Sequence, residues 1–509
     1  MKSLRDTIRT YSRKTPDKVA VKFEDININY YEFDNMLTNV SGNILDRLSS
    51  LYAIDTVFIP LILERSHFLP IAIHSLLAIE KAYVPLDFSQ PSARVSALLN
   101  EINSPLVICS QKFAKDVQAL CEFCVVTIEE LAKVESLASL SPIVYKPKIP
   151  CYMIYTSGTT GMPKGVVNIN EGLMNRIGWM RDHYLLDEHS VFLQKTPMTF
   201  DVSVWELTLP FLVGATLVVG GPKIHLKINE VFKLINLHKV TDIHFVPAVF
   251  QVFLSRLESK NISSLKRIYF SGEALNTELT KNFFEYMGDD IDLHNLYGPT
   301  ECSIDVSSWK CSKTDFKHFS ITPIGKPIFN TEFYVLDETG RKLGAEQIGE
   351  LFIGGLGVSQ GYYLRDKLTK QKFIENPFSY SNGKLYSTGD LVKQNQNGDF
   401  EYHGRIDFQV KINGQRVELG EIENHILKIS GVIGAVAIYT NQTLFSFVET
   451  STDSLVFDSN TVKTFLANYL PSYMIPKLVV RLESIPLGSS GKVDRKKLLE
   501  LVDTMGMGT

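Results

Sequence analysis

Cysteine is scarce, with six residues in a chain of 509. A disulfide framework is therefore excluded as an organising principle. The one close pair, Cys121 and Cys124, lacks a second pair or a nearby histidine to complete a zinc site and reads as packing. This thiol usage suits a reducing, cytoplasmic compartment. An excess of one charge is also missing. Lys and Arg total 52 against 56 Asp and Glu, a net charge of −4, so nothing marks a nucleic-acid or anionic-membrane surface. No apolar run is long enough to span a bilayer. The longest, LPFLVGATLVVGG from Leu209, reads as a buried strand pair. The amino terminus MKSLRDTIRTYSRK is basic but has no apolar region behind it, which excludes a secretory signal. Low-complexity tracts and solenoid-type repeats are absent as well.

What is present is an ordinary globular balance, 44% apolar and 21% charged, in a chain too long for one hydrophobic core. Short β-branched or apolar runs (TVFIPLIL, SPLVIC, IPCYMIYTS, ATLVVGG, DIHFVP) alternate with amphipathic segments, which predicts α/β layers with largely parallel sheets. From about residue 322 the texture changes to short strands and Gly-rich turns, as in TEFYVLDETG, GELFIGG, LYSTGDLV and GDFEYHG, and predicts a small, mostly β subdomain. Farther on, Leu419, Ile422, Ile426 and Ile429 fall on one helical face, as do Val462, Phe465, Leu466 and Tyr469. Strand-like GAVAIYT, TLFSFVE and KLVVRLES surround them, so a boundary near Asp407 is expected, followed by an α+β domain over 408–509.

The stretch YTSGTTGMPKGV, residues 155–166, follows an apolar strand-like run. Gly158 and Gly161 permit close approach to an anion, Thr156, Ser157, Thr159 and Thr160 supply hydroxyls, and Lys164 supplies a charge. A Walker loop would carry its lysine directly before Ser or Thr at a helix start; here Lys164 lies between Pro163 and Gly165. A loop wrapping a polyphosphate fits better, and a plain surface loop is the alternative. A second Gly cluster, GGLGVSQG at 354–361, reads as a β-turn.

Taken with FDVSVWE, SGEAL, NLYGPTE, GELFIGG, YSTGDL, GRIDFQVKINGQRVELGEIE, LPSYMIP and GKVDR in that order, the loop makes the chain resemble the amino-acid adenylation domains of nonribosomal peptide synthetases. These belong to the adenylate-forming superfamily of acyl-CoA ligases and luciferases. The resemblance runs nearly end to end. It implies an α/β fold: an N-terminal adenylation core over 1–407, with two αβ sheet subdomains and a small β-barrel, then a small mobile C-terminal domain. Asp407 falls at the family's hinge. The implied reaction is attack of a carboxylate on the α-phosphate of ATP, assisted by Mg²⁺, followed by transfer of the acyl group to the phosphopantetheine thiol of a carrier protein. Two anions must meet, so positioning and fixed positive charge carry most of the catalysis.

By the same resemblance, Lys492 in SSGKVDR is the catalytic lysine, Glu301 the Mg²⁺-associated carboxylate and Thr300 a contact of the α-phosphate. Tyr297 and Gly298 lie at the adenine, with Gly272, Glu273, Ala274 and Asn295 along the purine and Tyr402 across the ring. Asp390 accepts the ribose hydroxyls, aided by Arg405, and Gly414 lines the pantetheine path. Two departures stand out: Asn170 replaces a usual His, and Ser490 precedes Gly491-Lys492 where Asn is frequent.

The implied amino-acid pocket consists of Asp201, Val202, Trp205, His244, Tyr269, Ser271, Leu296, Ile304 and Asp305, closed by Lys492. Asp201 pairs with an α-ammonium; a plain acid would leave it unpaired, which disfavours an acyl-CoA ligase. Trp205, Tyr269 and Leu296 take up volume, while His244, Ser271 and Asp305 suit a hydroxyl. The set resembles the family's L-serine pocket except at Tyr269, where aliphatic residues are common. No carrier motif or HHxxxDG follows, so a freestanding enzyme loading a separate carrier protein is expected. The alternatives are a D-alanine–carrier protein ligase and a non-catalytic nucleotide-binding protein of the same fold.

Overall fold

Short apolar runs with no polar alternation are what a sheet buried on both faces requires, and they form the strands that organise this protein. The computed structural model describes residues 2–135, 144–158, 162–257, 262–378, 383–412, 414–451, 458–487 and 493–504. The chain divides into two compact units. The first comprises Met1–Asp87, Ile102–Ile154 and Gly165–Ile406, and the second Phe88–Glu101, Tyr155–Lys164 and Asp407–Thr509.

In the first unit, a nine-stranded sheet runs Lys326–Pro327, Ser307–Lys310, Asp292–Tyr297, Arg267–Phe270, Asp242–Phe245, Val191–Gln194, Thr216–Val219, Val19–Phe23, Ile26–Asn29. Its six central strands are parallel and its edges antiparallel. A second sheet of seven strands has Pro150–Thr156, Ala82–Pro85, Phe58–Ile62 and Leu106–Cys109 at its centre. Helices Tyr30–Ser50, Phe68–Ala78, Asn170–His183 and Val202–Val213 contribute to one core that takes residues from both sheets, among them Leu61, Ile108, Phe192 and Leu217. Ile228–His238, Pro247–Leu254 and Thr277–Met287 share a second core with Ile243, Phe245, Ile268 and Phe270 of the nine-stranded sheet.

Two local readings need correction. The run from Leu209 is not a strand pair: Leu209–Val213 ends the helix Val202–Val213, and only Thr216–Val219 is a strand. Every residue of that helix is buried, so no polar face discloses its period. Gly214 closes it at φ +71°, where a Cβ would lie 2.3 Å from the Tyr11 ring. The expected small barrel is a five-stranded antiparallel sheet of Thr331–Leu336, Ile348–Gly355, Lys384–Gln394, Phe373–Glu375 and Phe400–Arg405. Among the described residues, its outer strands Thr331–Leu336 and Phe373–Glu375 are not hydrogen-bonded to each other.

In the second unit, Val432–Thr440, Thr443–Thr450 and Leu478–Leu482 form a sheet covered on both faces. Ala437, Leu444 and Val448 pack with helices Leu419–Ile426 and Ser459–Ala467, whereas Val436, Ile438, Phe445 and Phe447 pack with Leu498 and Val502. Two stretches distant in sequence join this unit through polar contacts. Arg94 pairs with Glu421 at 2.7 Å, and the Tyr155 hydroxyl donates to Glu101 at 3.1 Å. The two cysteines of the CxxC are free thiols, and Cys121 is buried. Among the described residues, no helix is long and apolar enough to cross a membrane.

Buried histidine adds an acid sensitivity to the first unit. His74 Nε2 lies 2.9 Å from the Leu207 carbonyl, and burial lowers its pKa from 6.5 to about 4. Between those values the unfolded chain binds a proton that the folded chain refuses, so stability falls with pH through this window and the contribution levels off below about 4. Chemical denaturation of His74→Gln should therefore show a shallower acid-side loss than the native protein; equal slopes would contradict the assignment.

Candidate active site

The central strands of the nine-stranded sheet set the site. Parallel register places His244 opposite Tyr269, and Tyr269 opposite His294. The chain leaves these strands at their carboxyl ends, where open α/β sheets bind ligands, and there Ser271, Gly272 and Gly298 follow. His244 Nε2 lies 2.9 Å from Ser271 Oγ, both buried. Burial holds the His244 imidazole well below its ordinary pKa, and the charges of Lys195 and Arg176 act in the same direction. The ring is thus neutral at neutral pH. Trp205 meets His244 and Tyr269 edge-on at 6.3 and 5.5 Å between ring centres, and Val202, Leu296 and Ile304 are buried beside this core.

Asp201 stands at the N-cap of the helix Val202–Val213, yet its side chain does not cap that helix. It accepts a 2.6 Å hydrogen bond from the Thr300 hydroxyl instead. Segment 303–305 returns tightly against Gly298: a Cβ there would lie 2.3 Å from the Ile304 carbonyl oxygen, and the Val306 amide donates to Tyr297 O at 2.7 Å. Ser303 and Ile304 both take positive φ, 63° and 83°, an outlier for β-branched isoleucine that costs about 1–3 kcal/mol. Asp305 forms a buried ion pair with Arg176 at 2.9 Å.

The second cluster is built around Asp390. Its two carboxylate oxygens accept from the Arg405 guanidinium and the Tyr297 hydroxyl. Arg405 also donates to the Thr388 carbonyl at 3.0 Å, and Tyr402 packs on the core beneath. Asn295, expected along the purine, directs its amide to the Pro323 carbonyl at 2.9 Å; that nitrogen holds the neighbouring backbone. Gly272 takes φ +90°, followed by half-buried Glu273 and exposed Ala274. Glu301 is fully buried and accepts a 2.7 Å hydrogen bond from the Tyr362 hydroxyl.

The glycine-rich loop is engaged within the second unit. Ser157 Oγ donates to the Arg416 carbonyl at 2.8 Å and accepts from the Glu418 amide at 3.1 Å, while the Gly158 amide donates to the Glu421 carboxylate at 3.3 Å. Thr156 and Lys164 are buried. Asp407 accepts from the Gln409 amide at 3.2 Å, and Gly414 turns the Val410–Ile412/Gln415–Val417 hairpin at φ +77°. Thr159, Thr160, Gly161 and Lys492 lie outside the described residues. Arg176, Asp242, Tyr362 and Glu421 escaped the sequence reading. The first three act on site residues only through the fold; Glu421 sits inside a quoted motif whose spacing says nothing of its contact with Gly158.

Strand-end residues thus stand near the Asp201 carboxylate, with the Asp390 cluster as a second acidic site. The family model "AMP-binding enzyme" matches residues 8–363. The chain is 37% identical over 502 residues to zwittermicin A synthase ZmaJ of Bacillus cereus, spanning 95% of this chain and 92% of that protein. It is 34% identical over 507 residues to enterobactin synthase component F of Escherichia coli, but spans only 38% of that protein. It therefore belongs to the AMP-binding family of adenylate-forming ligases, in its nonribosomal peptide synthetase adenylation branch. Among solved structures, the Vibrio cholerae adenylation domain AlmE with glycyl-adenosine-5'-phosphate aligns with TM-score 0.84 at 21% identity, over 98% of each chain, a likeness of fold. The four-domain synthetase AB3403, bound to AMP and glycine, aligns with TM-score 0.69 at 28% identity over 97% of this chain and 36% of that one.

Tyr269 differs from its expected part as pocket lining in one respect: its hydroxyl donates to Asp242 at 2.9 Å, at the opposite end of the strand from Phe245. Tyr269→Phe should lower stability by about 1.5–3 kcal/mol, the range for a lost bond to a charged group, while ligand preference stays unchanged. Denaturation together with ligand titration checks both halves.

Proposed function

We propose that this chain activates a small amino acid, L-serine, with ATP and Mg²⁺. The amino-acid carboxylate attacks the α-phosphorus, the bond to the bridging oxygen of pyrophosphate breaks, and aminoacyl-AMP remains. The phosphopantetheine thiol of a separate carrier protein then attacks the acyl carbon, a thioester forms, the bond to the phosphate oxygen breaks and AMP leaves. The observation that carries the serine reading is the hydrogen-bonded, buried His244–Ser271 pair, together with buried Asp305, among the apolar side chains of Val202, Trp205, Leu296 and Ile304. A hydroxyl satisfies such groups; alanine leaves them unmatched, and threonine needs room for a methyl beside Trp205.

Asp201 offers its carboxylate to the α-ammonium, with Thr300 orienting it. Tyr297 and Arg405 fix Asp390 as acceptor for the ribose hydroxyls. Mg²⁺ is held through one or two protein carboxylates plus substrate phosphates; Glu301, a hard oxygen donor oriented by Tyr362, fits that donor set. When bound, the ion offsets charge on the phosphates. The resemblance of the motifs supports three further roles: Lys492 as the cation that follows developing charge, the residues after Asp407 as a mobile domain, and Gly414 as the wall of the pantetheine path. A solved relative bound to AMP and glycine supports recognition of both a nucleotide and an amino acid.

Amino-acid-dependent pyrophosphate exchange across small L- and D-amino acids tests the reading. L-Serine should give the highest rate. A preference for D-alanine would favour a D-alanine–carrier protein ligase, and no exchange with any amino acid would reject activation altogether. Lys492→Ala should suppress adenylation far more than thiol transfer from supplied aminoacyl-adenylate; equal loss of both would contradict its assignment.

A further inference from the structure

Arg176 has an unusual environment for an arginine. It lies in the helix Asn170–His183 with 1% of its surface exposed, its guanidinium carbon 5.1 Å from the centre of the Trp179 ring. Nη2 pairs with Asp305 at 2.9 Å. Nε and Nη1 are equally buried and have no hydrogen-bond partner among the described residues. A buried guanidinium has five N–H donors to satisfy, so these donors call for an acceptor that the described residues do not supply. Arg176 also contributes to holding His244 neutral, which places its charge in the field of the same pocket.

We propose that Arg176 is a specificity-determining residue: by neutralising Asp305 it makes the pocket select an uncharged, hydroxyl-bearing side chain and reject one that ends in an ammonium or a carboxylate. This rests on the reading of the pocket as the amino-acid site and deepens it. Asp305 alone, 2% exposed, would be a strong receptor for a cation, because an isolated buried carboxylate is costly and an ammonium partner relieves it. The diamino acid isosteric with serine, 2,3-diaminopropionate, would then be the better ligand. With Arg176 in place the pair has no net charge. An incoming ammonium gains little from Asp305 and meets arginine N–H groups, and an incoming carboxylate meets Asp305. A hydroxyl can donate to the carboxylate and accept from an N–H of the guanidinium at once.

The two charges should therefore act in opposite directions when removed singly. In pyrophosphate exchange with the full chain, Arg176→Met should raise kcat/KM for 2,3-diaminopropionate relative to serine by about tenfold or more, the scale of an uncompensated charge contact. Asp305→Asn should shift preference by a similar factor toward L-aspartate, whose carboxylate then meets an unpaired guanidinium. The double variant, with both charges gone, should return to uncharged side chains. A merely structural Arg176 would lower activity with all substrates together and leave the ratios fixed; unchanged ratios in both folded single variants overturn the proposal. If Arg176→Met does not fold, Asp305→Asn alone decides, through the aspartate-to-serine ratio. Failure of the serine reading is separate: the native protein would then prefer a different amino acid, whatever the variants do.

Discussion

Parallel register among Asp242–Phe245, Arg267–Phe270 and Asp292–Tyr297 is the constraint on which the rest of the site depends. Side chains alternate across a sheet, so one face carries Ile243, Phe245, Ile268 and Phe270 toward the outer helices. The other carries His244 and Tyr269 toward Trp205. A slip of one residue would bury phenylalanines where the imidazole now stands and turn His244 into an apolar core. The same register brings three chain turns to one edge, so residues from 244, 271 and 298 onward line one place. Asp201 reaches it from a helix that follows the neighbouring strand Val191–Gln194.

Charge inside the first unit is paired rather than excluded. Arg267 and Tyr269 both bind Asp242, Arg176 binds Asp305, and Arg405 with Tyr297 binds Asp390. Breaking one partner of a buried pair strands the other, at several kcal/mol, so each pair fixes geometry more than it adds stability. Asp242 holds the far end of the strands, Asp305 ties segment 303–305 to the helix Asn170–His183, and Asp390 is presented at the neighbouring sheet. The strained backbone at Ser303 and Ile304 belongs to the same design. It turns the chain sharply enough to place Asp305 against Arg176, and the hydrogen bond from Val306 to Tyr297 over-determines it.

Much of this was legible beforehand, for unequal reasons. The parallel strands announce themselves because burial on both faces demands continuous apolar runs, and ATLVVGG and DIHFVP both became strands, Thr216–Val219 and Asp242–Phe245. The all-apolar helix Val202–Val213 did not, since a segment buried on every side shows no period. Ordered motifs singled out Asp390, Glu301 and the expected pocket residues. Their partners Tyr362, Asp242 and Arg176 were invisible, because a hydrogen bond or ion pair across the fold leaves no spacing in the chain.

The sequence by itself determined the class of chemistry: local motifs carry the residue types that nucleotide and amino-acid recognition need, and short-range order preserves them. Tertiary structure decided how those residues are used. Whether Asp305 acts as a lone charge or half of a neutral pair depends on a helix residue 129 positions away in the chain. Whether the Tyr269 hydroxyl faces the pocket or the strand's other end depends on Asp242, 27 positions away. Charge and hydrogen bonding act over a few ångströms of space, and only the folded chain fixes which groups lie within that range.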